Sequence, residues 1–557
     1  MRHTPTSTPA VALLLILSCL SAAGCTQRYA FEECTSDAQC SPFDDATTTY
    51  TCDVEAKECV GATRTPDASE DATDTPRDLP KDESTGCTSN AACIEQDGPG
   101  SLCGDDGTCF SALSQDCQSL KMPKNGETEN IVIIGSLLPL IEPFGSVIGT
   151  PLTNAVEFAT DRFNSEGGLP DGGRIAWLSC DTKGDAQISK RAAKHMTEVV
   201  GVPAILGPAF SENFIAVAAD TAQPPNEAIL FGTTTTSPAI DNLHVSPDDL
   251  VWRNISSDRF QGKAFLDRIA SIGVQRVLIL HKDDKYGQDL RTEIAPSLIN
   301  SLGAANVKVA KYANPATFED ASDRRAAYGA TVQDQLAGFE PQATLILGTS
   351  EGAEVAGAYF TITSALGRTP GKIIFSHGVT SAMAPLAQTL PEPVLPLIES
   401  VAPVIFDVTD QGYKNFALDY NIEFGGTDAA IVATTTFDAA MVVFLAMSTV
   451  PTTAQITPTS IAQGIARLID QDAQEIQFFV TTNFASEARK ALIQGNNVNL
   501  RGVSGDLDFD LDTGSIYSRY YGWEIREDPI NGFIIVPKRI YTFSNPPELD
   551  GSWVELP

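Results

Sequence analysis

From about residue 129 the sequence predicts an α/β fold built as two doubly wound parallel-sheet lobes. Short apolar runs alternate with amphipathic segments there, the rhythm of parallel strands covered by helices on both faces. The beat repeats too often for one open sheet of ordinary size, so two lobes are the economical arrangement. Ahead of the lobes stand two cysteine groups separated by an acidic tract, which predict small disulfide-rich modules and a disordered tether.

Taken in chain order, residues 1–24 read as a lipoprotein signal peptide. Arg2 and His3 precede an apolar core, then Leu20, Ser21, Ala22, Ala23 and Gly24 lead to Cys25. This resembles a bacterial lipobox with Ala22 where Leu is usual, and Cys25 is the expected lipidation site, in preference to ordinary cleavage near Ala23. Thr26 after the anchor points to the outer membrane, facing the periplasm or the cell surface. The most apolar later stretch, 428–447, carries Asp438 and a threonine run, which suits a buried helix better than a membrane span.

Of the 12 cysteines, Cys19 falls in the signal and Cys25 at the anchor. Module 1 (25–60) holds Cys34, Cys40, Cys52 and Cys59; module 2 (87–117) holds Cys87, Cys93, Cys103 and Cys109. Both open on C-T-S-x-A-x-C, as a duplicated unit would. Each is too small to bury a core and needs disulfides as staples, with connectivity left open by the spacing. Zinc is disfavoured by the spacing and by the absence of histidine from either group. Cys117 and Cys180 remain and pair by elimination. The linker 61–86, with seven acidic and three basic residues and three prolines, reads as a disordered tether. Anchor, modules and tether together look like a spacer. A net charge of −34 argues against nucleic acid as a partner.

In the domain 129–557, strands are expected at 131–134, 174–180, 203–207, 228–232, 276–281, 343–348 and 372–376. Helices are expected at 151–163, 186–199, near 212–223, and at 260–273, 286–301 and 351–366. Ligands of such sheets bind beyond the carboxyl ends of the strands. The residues standing there are Phe144, Ala209, Phe210, Ser211, and the run Thr233, Thr234, Thr235, Thr236. In the second half they are Asp283, Tyr286, Thr349, Ser350 and His377. Hydroxyls and backbone N–H groups at helix starts suit an anionic group such as a carboxylate. The threonine run could equally cap the turn before Pro238; its place after a strand favours the cleft.

These residues carry a family likeness. In order come 131-IVIIGSLLPL with Phe144-Gly145, 163-FNSEGGL-169, 178-LSCDTKGDA-186, 206-LGPAFSENF-214, 230-LFGTTTTSPAI-240 and 252-WRNISSDRFQG-262. Then follow 278-LILHKDDKYGQDL-290 and a later strand in 502-GVSGDLDFDLDTG-514. The segment resembles the type I periplasmic binding proteins, above all the branched-chain amino-acid-binding group and related receptor domains. The resemblance implies two α/β lobes joined by crossing strands that close on a small ligand. It implies lobe 1 at about 129–250 and 405–485, and lobe 2 at about 251–404 and 486–557. It places Phe144, Phe210, Ser211, Thr235 and Thr236 on first-lobe ligand positions, and Tyr286 and Thr349-Ser350 on second-lobe ones. Where amino-acid binders set an acid against the ligand's ammonium, this chain has His377, which puts an α-amino acid in doubt.

A serine hydrolase is the remote alternative, because 348-GTSEG-352 has the nucleophile-elbow form. The only acids between Ser350 and His377 are Glu351 and Glu354, on the serine's own helix, so Ser350 reads as a hydrogen-bonding group. Gly348 and Gly352 read as allowing a tight turn and close approach to a ligand. Asp506, Asp508, Asp510 and Asp512 lack the glycine and glutamate of an EF-hand and alternate with apolar residues as in a half-buried strand. No histidine spacing suggests a metal. The expectation is a non-enzymatic, lipid-anchored binding protein without cofactor, for an amino-acid-like or carboxylate metabolite. It would serve an ABC permease or, alternatively, report binding to a signalling partner.

Overall fold

The computed structural model describes residues 86–557 except 143, 223–226, 245, 247, 426, 530–531 and 545, with side chains also excepted at 427–432. Before them it describes only the backbone of three strands. The signal segment, Cys25, Cys34, Cys40 and nearly all of the acidic tether lie outside the described residues. The chain divides into two units, Met1–Ser84 and Thr85–Pro557.

In the first unit, Arg28–Tyr29, Thr48–Asp53 and Glu58–Thr63 form an antiparallel sheet with Glu58–Thr63 in the middle. Cys52 and Cys59 stand opposite each other in its register. The middle strand runs to Thr63, past the expected module boundary at 60.

The second unit holds two large sheets. The first has the order Val251–Arg253, Ile229–Gly232, Ala204–Leu206, Ile131–Leu138, Arg174–Asp181, Ser119–Lys121. All its strands are parallel except Ser119–Lys121, which lies antiparallel on one edge. The second runs Val307–Tyr312, Val277–Lys282, Ala343–Leu347, Lys372–Ser376, Ile398–Pro403, then Tyr520–Asp528, Gly532–Phe543 and Gly551–Glu555. Its first five strands are parallel and its last three antiparallel.

Helices cover the sheets because their apolar residues fall on one face. Thr150–Ser165 buries Leu152, Ala155, Val156, Ala159 and Phe163 and meets helix Thr427–Met447 through Phe163 and Phe444, 5.3 Å apart. From 433 to 447 that second helix is buried throughout. Its Asp438 is satisfied by the Val503 amide at 2.9 Å and the Ser504 amide at 2.7 Å. No described helix is long and apolar enough to cross a membrane.

The chain crosses between the lobes three times, near 254–258, 404–410 and 514–520. The crossings brace one another: the Arg253 amide donates to Gly514 O at 2.8 Å, and Val404 N to Arg519 O at 2.7 Å. The return to the first lobe extends beyond 485. Glu166 accepts the Ala485 amide at 2.9 Å, and Arg489 donates to Gly168 O at 2.6 Å, so helix Phe484–Ile493 sits on the first lobe.

Module 2 closes Cys87 to Cys103 and Cys93 to Cys109, and Cys117 bonds to Cys180. It is no spacer. Arg191 forks onto Asp116 at 2.6 and 2.9 Å, and His195 Nε2 lies 2.9 Å from Ala112 O, which docks the module on the first lobe. The region 502–514 is also not a regular strand; isolated bridges replace it, although Leu507 and Phe509 are buried between exposed or half-buried acids.

Candidate functional site

The carboxyl ends of the two sheets face each other, and the residues after each strand meet in the gap. Phe144 follows Ile131–Leu138, and Phe210 and Ser211 follow Ala204–Leu206 to open helix Ser211–Thr221. The two rings pack edge to face, centroids 4.8 Å apart. Ser211 Oγ accepts the Ser237 amide at 3.3 Å. Thr234 braces its own loop by donating to Ala209 O at 2.7 Å.

Thr233, Thr235 and Thr236 are different. Their hydroxyls are buried and meet no hydrogen-bond partner. Buried polar groups are nearly always paired, so three orphaned hydroxyls at one strand end ask for a partner from outside the chain. Beside them lies Asp258, first residue of helix Asp258–Ile272, whose amide donates to Thr236 O at 2.7 Å. Both of its carboxylate oxygens are buried without a closed hydrogen bond. Burial pushes its pKa up to about 8, against the pull of the nearby Thr236 hydroxyl and Arg253 guanidinium. At neutral pH it is therefore a carboxylic acid, able to donate a proton in a hydrogen bond.

From the second lobe, His377 Nδ1 lies 3.0 Å from Gln261 Oε1 and 3.2 Å from the Tyr286 hydroxyl. Burial lowers the imidazole's pKa to about 4, so it is neutral. Burial, then the nearby Asp258, raises Tyr286 well above the usual phenol range and keeps it protonated. Gln261 stands one helical turn after Asp258, which puts both on the same face.

The loop after Ala343–Leu347 carries Thr349, Ser350 and Glu351. Glu351 turns inward and accepts from the Thr349 amide at 2.9 Å and the Tyr312 hydroxyl at 3.0 Å. Ser350 lines a cavity of about 120 Å³ with Phe144, Pro315, Arg324, Glu351 and Glu354. The only described partners of the His377 ring are those of Gln261 and Tyr286 above, so no serine–histidine pair forms among the described residues. Gly348 serves packing rather than ligand approach: a Cβ there would collide with the Tyr312 hydroxyl. Gly352 is likewise bounded by Val379.

Asp283, expected at the strand end, turns away to Lys311 at 2.8 Å. Its neighbour Lys282 points inward instead. Lys282, Asp258, Gln261 and Glu351 are the cleft residues that strand-end reasoning missed. A larger cavity of about 630 Å³, lined by Lys124, Phe158, Asp161 and Arg162 among others, opens at helix Thr150–Ser165, away from the strand ends. Lys124 pairs there with Asp161 at 2.7 Å, and Arg162 pairs with Asp419 outside the lining at 2.9 Å.

A family model described as periplasmic binding protein matches residues 132–521. No curated protein matches the chain. Among solved structures, it is similar to the branched-chain amino acid transporter substrate binding protein LivJ of Streptococcus pneumoniae, in complex with isoleucine. Identity is 16%, TM-score 0.53, and the match covers 73% of this chain and 99% of that one. The leucine binding protein LivK of Thermotoga maritima is 18% identical, with TM-score 0.53 over 73% of this chain and 98% of that one. A solute binding protein of an ABC transporter from Rhodopseudomonas palustris, in complex with 3,4-dihydroxybenzoic acid, is 16% identical, with TM-score 0.52 over 73% and 97%. At such identities the likeness is one of fold.

Proposed function

This chain belongs to the periplasmic binding protein family, and on that premise we propose that it closes its two lobes on a small polar metabolite bearing a carboxylate and delivers it to an ABC importer. The protein is exported and anchored through a lipid on Cys25, and it performs no catalysis. The observation that carries the ligand class is the buried set of Thr235 and Thr236 hydroxyls and the Asp258 carboxyl, which have no partner in the chain beyond a loose contact of Thr236 with Asp258. Three neutral donors at the start of a helix suit a carboxylate. Neutral His377 supplies no anion for an ammonium group, and the cleft acid Glu351 is already engaged by the Thr349 amide and the Tyr312 hydroxyl, which favours acids without an α-amine. The ligands bound in proteins of similar fold include both kinds, isoleucine and 3,4-dihydroxybenzoic acid.

Thermal denaturation of the full chain against amino acids, amides, small carboxylates and sugars tests this. A ligand that binds only the folded form adds roughly 2.7 kcal/mol at a hundredfold excess over Kd. Stabilisation by carboxylates is the expected result. Stabilisation confined to sugars or amides contradicts the ligand class.

A further inference from the structure

One buried cation of the cleft belongs to the chain itself and faces aromatic rings. Lys282 ends strand Val277–Lys282 in the second lobe and is 1% exposed. Its Nζ lies 5.6 Å from the centroid of the Phe144 ring and 5.3 Å from that of Phe210, both first-lobe residues. It is held there by Asp284 Oδ2 at 2.9 Å and donates to Thr349 Oγ1 at 3.3 Å. Aromatic faces at this range receive cations, most strongly when water is excluded. The acids around it are Asp284, Glu351 and Glu212, and they keep the ammonium charged despite its burial.

We propose that Lys282 determines the ligand class of the cleft: its ammonium fills, from within the chain, the aromatic-faced place where a ligand cation would be received. The cleft then admits carboxylates and disfavours the same molecules carrying an α-ammonium, whose place against the two rings and whose acid partner Asp284 are already taken by Lys282. This rests on the cleft being the binding site, as argued above. It also gives the closed lobes a cross-connection, since the cation and its rings come from opposite sides.

The test uses the full chain, wild type and Lys282→Met, in thermal-shift titrations with matched pairs. The pairs are propanoate and alanine, 4-methylpentanoate and leucine, and 3-phenylpropanoate and phenylalanine. Methylammonium chloride is tested separately on Lys282→Ala. Lys282→Gln, which keeps a hydrogen-bonding end for Asp284, replaces either variant that does not fold. Wild type should bind a carboxylate at least about tenfold more tightly than its amino acid, and Lys282→Met should erase most of that ratio. Methylammonium should stabilise Lys282→Ala and leave wild type unmoved. An unchanged ratio in the variant overturns the role of Lys282 while leaving the cleft as a binding site. If no pair binds but methylammonium stabilises Lys282→Ala alone, the internal cation stands and the carboxylate reading falls. If neither pair nor methylammonium distinguishes any form, both fall.

Discussion

Asp258 is held neutral by its surroundings, and that has a measurable sign. Its folded pKa of about 8 lies above the ordinary carboxyl value of 3.8, so the folded state binds a proton that the unfolded state has already lost. The stability this contributes is fully present below about pH 4 and is lost as pH rises through about 8. Asp258→Asn, which cannot ionise, should therefore gain in Tm relative to wild type between about pH 5 and pH 8. A difference in Tm that stays constant over that range contradicts a protonated Asp258. At this scale the strand-end rule names Ser211, Thr235, Thr236, Tyr286 and His377, each of which stands in the loop after a strand or in the first turn of a helix. It missed Lys282, since a lysine within 281-HKDDKYG-287 reads as solvated and only the approach of Phe144 and Phe210 from the other lobe buries it. Asp258 was missed for a similar reason. Its burial arises where the first crossing meets Thr236, and no local pattern displays that.

The elements of the parallel core were legible because their apolar runs are buried on both faces, as in 277–282 and 343–347. Edge elements were not. Val307–Tyr312 buries only its two end residues, and helix Ala321–Leu336 only Tyr328, Val332 and Leu336, so neither shows a strong apolar stripe. The antiparallel strands after 520 alternate burial less regularly and carry Pro537 and Arg539 within one of them. What fixes them is a buried charge cluster. Glu399 on Ile398–Pro403 accepts from Arg268 at 2.9 and 2.8 Å, from Arg539 at 3.0 Å and from Lys372 at 3.3 Å. Burial raises the Glu399 pKa, but Arg268, Lys372 and Arg539 outweigh it and hold the group below its usual range. Glu399→Ala leaves Arg268 uncompensated inside the lobe, while Arg539 keeps Glu524 and Glu555, and should cost about 3–5 kcal/mol in denaturant unfolding. A loss under about 1 kcal/mol would mean that water reaches the cluster.

Across the whole molecule, the cysteines of the second unit do two jobs. Those of module 2 staple the module internally, while Cys117–Cys180 fastens it to the first lobe. Spacing alone could not tell a spacer from a docked cap, because the decisive partners, Asp116 and Arg191, lie 75 residues apart. In the cleft Thr233, Thr235 and Thr236 bring three buried hydroxyls without a close partner together at one strand end, whereas elsewhere such groups, among them Thr153, Thr344 and Tyr328, are scattered. Orphaned hydroxyls destabilise an empty protein and are retained where they serve binding.

The most direct test is therefore calorimetric titration of wild type and a Thr235→Val, Thr236→Val double variant with the tightest carboxylate found, alongside the Tm of each without ligand. Two lost hydrogen bonds should weaken affinity roughly tenfold or more, while removal of two unpaired buried hydroxyls leaves Tm unchanged or raised. Unchanged affinity together with a lowered Tm would show that the two threonines hold the fold rather than the ligand.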